Sequence, residues 1–375
     1  MKRNRDDILM QKETTNSIRR YEHHLELTAE WLMRSIEKGR GGSCAFFSPL
    51  LGWSKPYPET TGYLIPTLIS ISNALDDHKY SAAALRIGEW LLDIQSQNGS
   101  WHGGLYPSAS SEGSVFNTGQ ILKGMMALFH LTGDHVFLSA ADRGANWLAS
   151  GVDGYGLWPA SDYRASETPS YYTHVAWPML EVWKSTQSVS QRTAAERFLD
   201  MALERKLSNG AIAQWGFDDQ GSAFTHNIAY TIRGFQESSR LIGDYSKYGR
   251  PMEKILEFFV KKSELSNGRV SGEFDESLAG VKKYVCLTGN AQLAVCILLM
   301  EQQKSDLRLV NAASKMIDFI GSVQAKGRFI KSIGGGVAGS YPLWGRYMFM
   351  RYPNWSAKFY CDSLMLIKNR LELER

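Results

Sequence analysis

The feature that most restricts what this chain can fold into is a repeat. An aromatic residue followed by an apolar one recurs as Trp31-Leu32, Trp90-Leu91, Trp147-Leu148, Phe198-Leu199, Phe258-Phe259 and Phe319-Ile320, at steps of 51 to 61 residues. Around each pair apolar residues return at helical spacing, as in Leu25, Leu32 and Ile36, or Ala84, Ile87, Leu91 and Ile94. Charged residues fill the other face, so these are six helices with one wet side. Between them runs a second series, at 60–75, 117–131, 172–183, 225–241, 287–300 and 354–367, apolar on most sides. Nearly all its members open on Thr, Ser or Asn, which predicts N-caps. Helices apolar nearly all round belong to an inner layer.

Twelve helices, alternately outer and inner, can close into a ring or stack into an open solenoid. The period exceeds the ~33–47 residues of common helical solenoids. It therefore predicts an all-α fold, an (α/α)6 toroid, with short β elements at 210–217 and 268–274. Residues 20–372 form one domain and residues 1–19 a tail.

The 43% hydrophobic and 21% charged content excludes a disordered chain. A scattered net charge of +4 predicts no nucleic-acid partner. The longest apolar run, near 287–300, is broken by Gly289, Asn290 and Gln292, which predicts no membrane span. The N-terminus lacks the apolar region of a secretory signal. Cys44, Cys286, Cys296 and Cys361 show no metal-ligand spacing, so the reading is a cytoplasmic protein with free thiols and neither metal nor cofactor. The GGGVAGS segment at 334–340 lacks the Lys-Ser/Thr of a phosphate loop; it predicts a flexible lid before Trp344 and Arg346.

In a closed ring, the connections from outer to inner helix share one pole with the inner-helix N-termini. Orphan N–H groups and positive dipole ends converge there. The long connections, 39–59, 98–116, 151–171, 208–224, 266–285 and 327–353, all fall on this pole, whereas the others are short. Long loops usually carry function, so a polar site is expected here. Trp53, Trp101, Trp158, Trp215 and Trp344, with Tyr57, Tyr106, Tyr155, Tyr163 and Tyr171, could stack on sugar rings, or simply pack their loops. Asn117, Gln120, Tyr230, Asn290, Trp355 and Lys358 stand at the inner-helix mouths, with Arg233 deeper and Arg346 on a loop. His174 and His226 occupy equivalent positions after Thr173 and Thr225 and are candidate bases, with Tyr172 beside them. Among the loop carboxylates, Glu59, Glu273 and Asp275 are the first choices for an acid–base pair; Asp162, Glu167, Asp218, Asp219 and Glu276 complete the set.

The segment WLLDIQSQNGSW at 90–101 resembles the QW motif of squalene and hopene cyclases, with a weaker echo at 147–158. That motif is structural, and the Asp-rich cyclisation motif is missing from this sequence. PETTGY, VFNTGQIL, THNIAYTIRG and YPNWSAKFYCDSL make the chain resemble (α/α)6 proteins of bacterial surface-polysaccharide clusters. The architecture is also similar to unsaturated glucuronyl hydrolases, N-acylglucosamine epimerases and the helical domains of polysaccharide lyases. The resemblance implies a carbohydrate-active enzyme working on an oligo- or polysaccharide that contains acidic sugars. Hydrolysis would place Glu59 and a second loop carboxylate across the bond. A lyase or C5-epimerase would take the proton beside a uronate carboxylate with Tyr172, His174 or His226, and neutralise that carboxylate with Asn117, Asn290, Arg233 or Lys358. A non-catalytic glycan-binding protein and an isoprenoid-handling toroid are the alternatives.

Overall fold

Tight connections make most of the hairpins. Gly133 takes a positive φ of 72° and ends α4 (Val115–Thr132), donating its N–H to Phe129 O. Asp134 then caps α5 (His135–Ser150) by accepting from Val136 N. The computed structural model describes residues 2–108, 112–159, 168–217 and 221–373. Its described residues form twelve α-helices. The outer ones are α1 (Lys2–Gly39), α3 (Lys79–Asp93), α5, α7 (Val189–Glu204), α9 (Glu253–Ser266) and α11 (Leu307–Val323). The inner ones are α2 (Pro58–Leu75), α4, α6 (Thr173–Thr186), α8 (Thr225–Ile242), α10 (Leu287–Lys304) and α12 (Asn354–Glu372). Each inner helix packs on the next and α12 returns to α2, so the ring is closed. This is the (α/α)6 toroid. Helix α1 begins at Lys2, so helix runs through most of the segment read as a tail, and Ile18 in that segment is buried.

The inner helices touch through backbone. A Cβ on Gly124 would lie 2.4 Å from Gly62 O, and one on Gly234 would lie 2.3 Å from the carbonyl carbon of Thr173. No other residue type permits so close an approach.

Trp Nε1 groups tie the loops down. Trp101 donates to Leu91 O at 2.7 Å and Trp158 to Leu148 O at 2.9 Å, each reaching back to its outer helix. Short strands stitch neighbouring loops: β1 (Phe46–Ser48) pairs β2 (Gly52–Trp53) and β7 (Tyr352–Pro353), β3 (Ser222–Phe224) pairs β4 (Glu273–Asp275), and β5 (Val285–Cys286) pairs β6 (Ser340–Tyr341). The segment expected as strand at 210–217 carries only a bridge at Ile212.

Two local expectations change. Ser114 does cap α4, but α2, α6, α8 and α12 have no side-chain cap. Their opening polar residues point sideways instead: Thr225 Oγ1 donates to Ser271 O at 2.6 Å, and Thr173 Oγ1 to Thr231 O at 3.0 Å. The glycine-rich segment is packed rather than lid-like: Gly335 and Gly336 lie against Leu27 O and the Trp31 indole.

Candidate functional site

On the ring axis lies a cavity of about 890 Å3 whose lining residues all belong to inner helices. Its floor is buried and made by Tyr63, Lys123, His174, Gln292, Lys358 and Phe359. Its rim holds Asn73, His130, Lys184, Arg240 and Asn369, all exposed and all in or near the last turns of their helices. The cavity therefore opens at the C-terminal pole of the inner helices, beside the short connections. Sequence reasoning expected the long-loop pole.

Packing explains the reversal. The first turns of the inner helices and their loops present bulky rings to a narrow axis, and those rings fill it. Tyr230 is sandwiched between His174 and His226, with ring centroids 4.1 and 4.2 Å away. Phe116 lies 5.5 Å and Phe359 5.9 Å from the same ring. His226 reaches Tyr347 at 5.3 Å, and Trp355 Nε1 donates to Tyr347 Oη at 2.8 Å.

At the floor, Gln120 Nε2 donates to His174 O at 2.9 Å, which turns Gln120 Oε1 toward Lys123 Nζ at 2.7 Å and His174 Nδ1 at 2.9 Å. Lys123 Nζ also lies 2.9 Å from His174 Nδ1 and 4.2 Å from the Trp177 ring centroid. Burial, and then the Lys358 charge, hold Lys123 well below the usual lysine range. Burial, and then Lys123, do the same to His174. An amine and an imidazole with this bias are poised as bases.

Opposite, Lys358 Nζ meets Asp362 Oδ2 at 2.5 Å, and Thr67 Oγ1 donates to Asp362 Oδ1 at 2.7 Å. Burial lowers the Lys358 pKa although Asp362 opposes it. Arg233 and Arg240 grip Glu237 at 2.6 and 2.9 Å. Burial alone would raise Glu237, but the two guanidiniums outweigh it and hold the carboxylate below its usual range. Glu181, half-buried, accepts from Trp177 Nε1 at 2.9 Å. Burial first and the Glu237 charge second push it up to about 7, against Lys123. Beside the Lys123 amine and Glu181, the cavity is lined by four basic side chains (Lys184, Arg233, Arg240, Lys358) against the single carboxylate of Asp362, so its field favours an anion.

Of the residues singled out from sequence, His174, Arg233, Lys358 and the Gln292 that accompanies Asn290 line this cavity, and Gln120 and Tyr230 contact His174. The rest lie elsewhere. Trp101, Trp158 and Trp215 are buried and offer no face to a ligand; Trp53 packs 5.3 Å from Trp31. Tyr172 is buried beside Phe116 and Trp158. Asn117 and Asn290 spend their amides on His102 O and Gly268 O at 3.0 and 2.6 Å. Glu59 is buried in the first turn of α2, one turn before Tyr63. Glu273 accepts from Tyr284 Oη at 2.7 Å and pairs with Arg346 at 3.0 Å, which makes a loop clip of both. Asp275 closes its own turn through Ser277 Oγ and Ala279 N, and Glu276 accepts from Gln214 N. Asp162, Tyr163, Glu167, Asp218 and Asp219 lie outside the described residues. Sequence reasoning missed Lys123, Trp177, Glu181, Glu237 and Asp362. A charge inside an apolar inner helix must face a cavity or a partner, and Lys123, Glu181, Glu237 and Asp362 carry that signal as Arg233 does, whereas Trp177 carries none.

No family model matches the sequence, and no curated protein matches it. Solved structures do. An unsaturated glucuronyl hydrolase specific for heparin aligns with a TM-score of 0.77 at 15% identity, over 94% of this chain and 98% of that one. The unsaturated glucuronyl hydrolase of Bacillus sp. GL1 aligns at 0.74 and 16%, over 95% and 97%. Cellobiose 2-epimerase from Bacillus thermoamylovorans B4167 aligns at 0.75 and 12%, over 95% and 100%. At these identities the likeness is one of fold.

Proposed function

We propose that this toroid is a carbohydrate-active enzyme that takes an acidic sugar into the axial cavity and moves the proton on the carbon beside its carboxylate. The observation that carries the reading is the company His174 keeps. It shares one cavity with the Lys123 amine and with Arg233 and Lys358, so a base and carboxylate-neutralising cations meet in a single chamber. Arg233 and Lys358 bind the sugar carboxylate. His174, backed by Lys123, takes the adjacent C–H proton, and the electron pair passes into the carboxylate, whose growing charge the cations stabilise. Glu181, two helical turns from His174 on α6 and pushed to about 7, is protonated near neutrality and supplies the acid. If Glu181 returns a proton to that carbon, the product is the epimer. If it protonates the oxygen leaving the neighbouring carbon, that C–O bond breaks, a carbon–carbon double bond forms, and the reaction is a lysis. The shared fold of glucuronyl hydrolases and a cellobiose epimerase supports a saccharide ligand. Four unpaired, buried cysteines support a reducing, cytoplasmic setting.

One observation favours hydrolysis as a second reading. Glu181 on α6 and Asp362 on α12 line the cavity from opposite sides of the ring, one biased toward its acid form and one ion-paired. A panel of acidic oligosaccharides separates the two. Proton abstraction exchanges deuterium from heavy water into the sugar or creates an ultraviolet-absorbing unsaturated uronate, and His174→Ala abolishes it. New reducing ends without unsaturation, lost in Glu181→Gln and kept in His174→Ala, would establish hydrolysis instead. Binding without turnover would leave a glycan-binding protein.

A further inference from the structure

The pole opposite the cavity mouth carries a surface that the proposed chemistry does not use. Leu50 and Leu51 at the tip of the β1–β2 turn are 76% and 80% exposed, Trp344 is 68%, Phe349 is 59% and Phe329 is fully exposed. They lie on adjoining loops. The pairing of Phe47 with Tyr352 carries the β1–β2 turn beside residues 349–351. Met350 N donates to Leu343 O at 3.0 Å, which folds Trp344 back toward Phe349. Trp31 joins the third loop, since it packs 5.3 Å from Trp53 and donates to Ser332 O at 2.9 Å. On these three loops the charge has one sign, although Glu273, Asp275 and Glu276 lie on another loop of the same pole. The chain has no Asp or Glu between Asp318 and Asp362, yet Lys326, Arg328, Lys331, Arg346 and Arg351 fall there. Arg346 is paired with Glu273. Among the described residues, Lys326, Arg328, Lys331 and Arg351 make no ion pair with a carboxylate. Arg351 instead lies 4.5 Å over the Phe46 ring.

We infer that this pole is a docking surface for an anionic lipid bilayer. Separate projecting apolar tips ringed by basic side chains fit a membrane interface, where Leu, Phe and Trp enter the headgroup boundary and Lys and Arg stay at the phosphates. Three features argue against other occupants. Leucine tips have neither the flat face nor the hydrogen-bonding edge that a sugar ring uses. The tips project singly rather than lining a groove. A second copy of the chain docking through the same face would bring the basic residues together. Docking this way leaves the cavity mouth turned toward solvent.

The test is co-sedimentation of the full chain with phosphatidylcholine vesicles, with and without phosphatidylglycerol. The protein is expected to partition onto the anionic vesicles and to be released by high salt. Combined Lys326→Gln, Arg328→Gln and Lys331→Gln should lower partitioning by roughly a hundredfold, about fivefold per residue. Leu50→Ser with Leu51→Ser and Phe349→Ser should lower it independently, and all variants should keep the wild-type circular dichroism and melting temperature. No partitioning onto anionic vesicles would overturn the inference. So would partitioning that both variants retain, a dimer that buries these loops, or capture of an acidic polysaccharide in place of lipid through the same residues.

Discussion

Replacing Glu181 with Gln tests the electrostatics of the cavity without any substrate. The carboxyl group is displaced from its ordinary 4.5 to about 7 by burial and by the neighbouring Glu237. Between those values the folded protein holds a proton that the unfolded chain has released. The stability contributed by this group therefore falls as pH rises through the window and levels off above it. The displacement corresponds to ~3 kcal/mol, or a melting shift of ~4 °C in a chain of this size. Gln keeps an oxygen for Trp177 Nε1 and cannot ionise. The variant should match wild type near about pH 4 and exceed it by that margin near about pH 8. His174 and His226 act in the opposite sense. Burial lowers both, His226 to about 4, so their contribution rises with pH toward the ordinary histidine value. Comparing variant with wild type at each pH cancels them. The assay is urea unfolding across this range. Parallel stability–pH curves for the two proteins would refute the reasoning.

Two further outcomes follow from the packing and the floor of the cavity. Gly234→Ala should cost about 3 kcal/mol by chemical denaturation, because its Cβ would press on the Thr173 backbone at 2.3 Å. Gly154→Ala, with nothing within 4 Å, should cost little. Lys123→Met keeps the apolar stem and removes a buried amine, so stability should hold to within about 1 kcal/mol. Calorimetry should show affinity for an acidic disaccharide falling by about 10-fold or more. In a nuclear magnetic resonance titration, the His174 pKa should rise once Lys123 no longer opposes its charge.

The ring was legible because its cause is local and periodic. Pairs such as Trp90-Leu91 and Phe319-Ile320 mark where each outer helix meets the core, and Gly133-Asp134 spells out a turn by its own chemistry. The pole of the cavity was not legible, because it depends on which side chains win a crowded axis. Tyr230, Phe116, Tyr347 and Phe359 come from four separate segments, and only the closed ring reveals that together they fill one end. The polar residues at the inner-helix mouths misled for a related reason. Asn117 and Asn290 look like ligand groups in sequence, yet each satisfies the backbone of a loop that descends onto its helix. Lys123 and Glu181 were readable in principle as charges among apolar neighbours, but their partners are supplied by other helices.

A crystal structure with a uronate-containing disaccharide tests the central claim most directly. The account predicts the sugar in the axial cavity, entered from the pole of Lys184 and Arg240, with its carboxylate among Lys123, Arg233 and Lys358. A sugar bound instead among the long loops at the opposite pole, with the cavity empty, would contradict it.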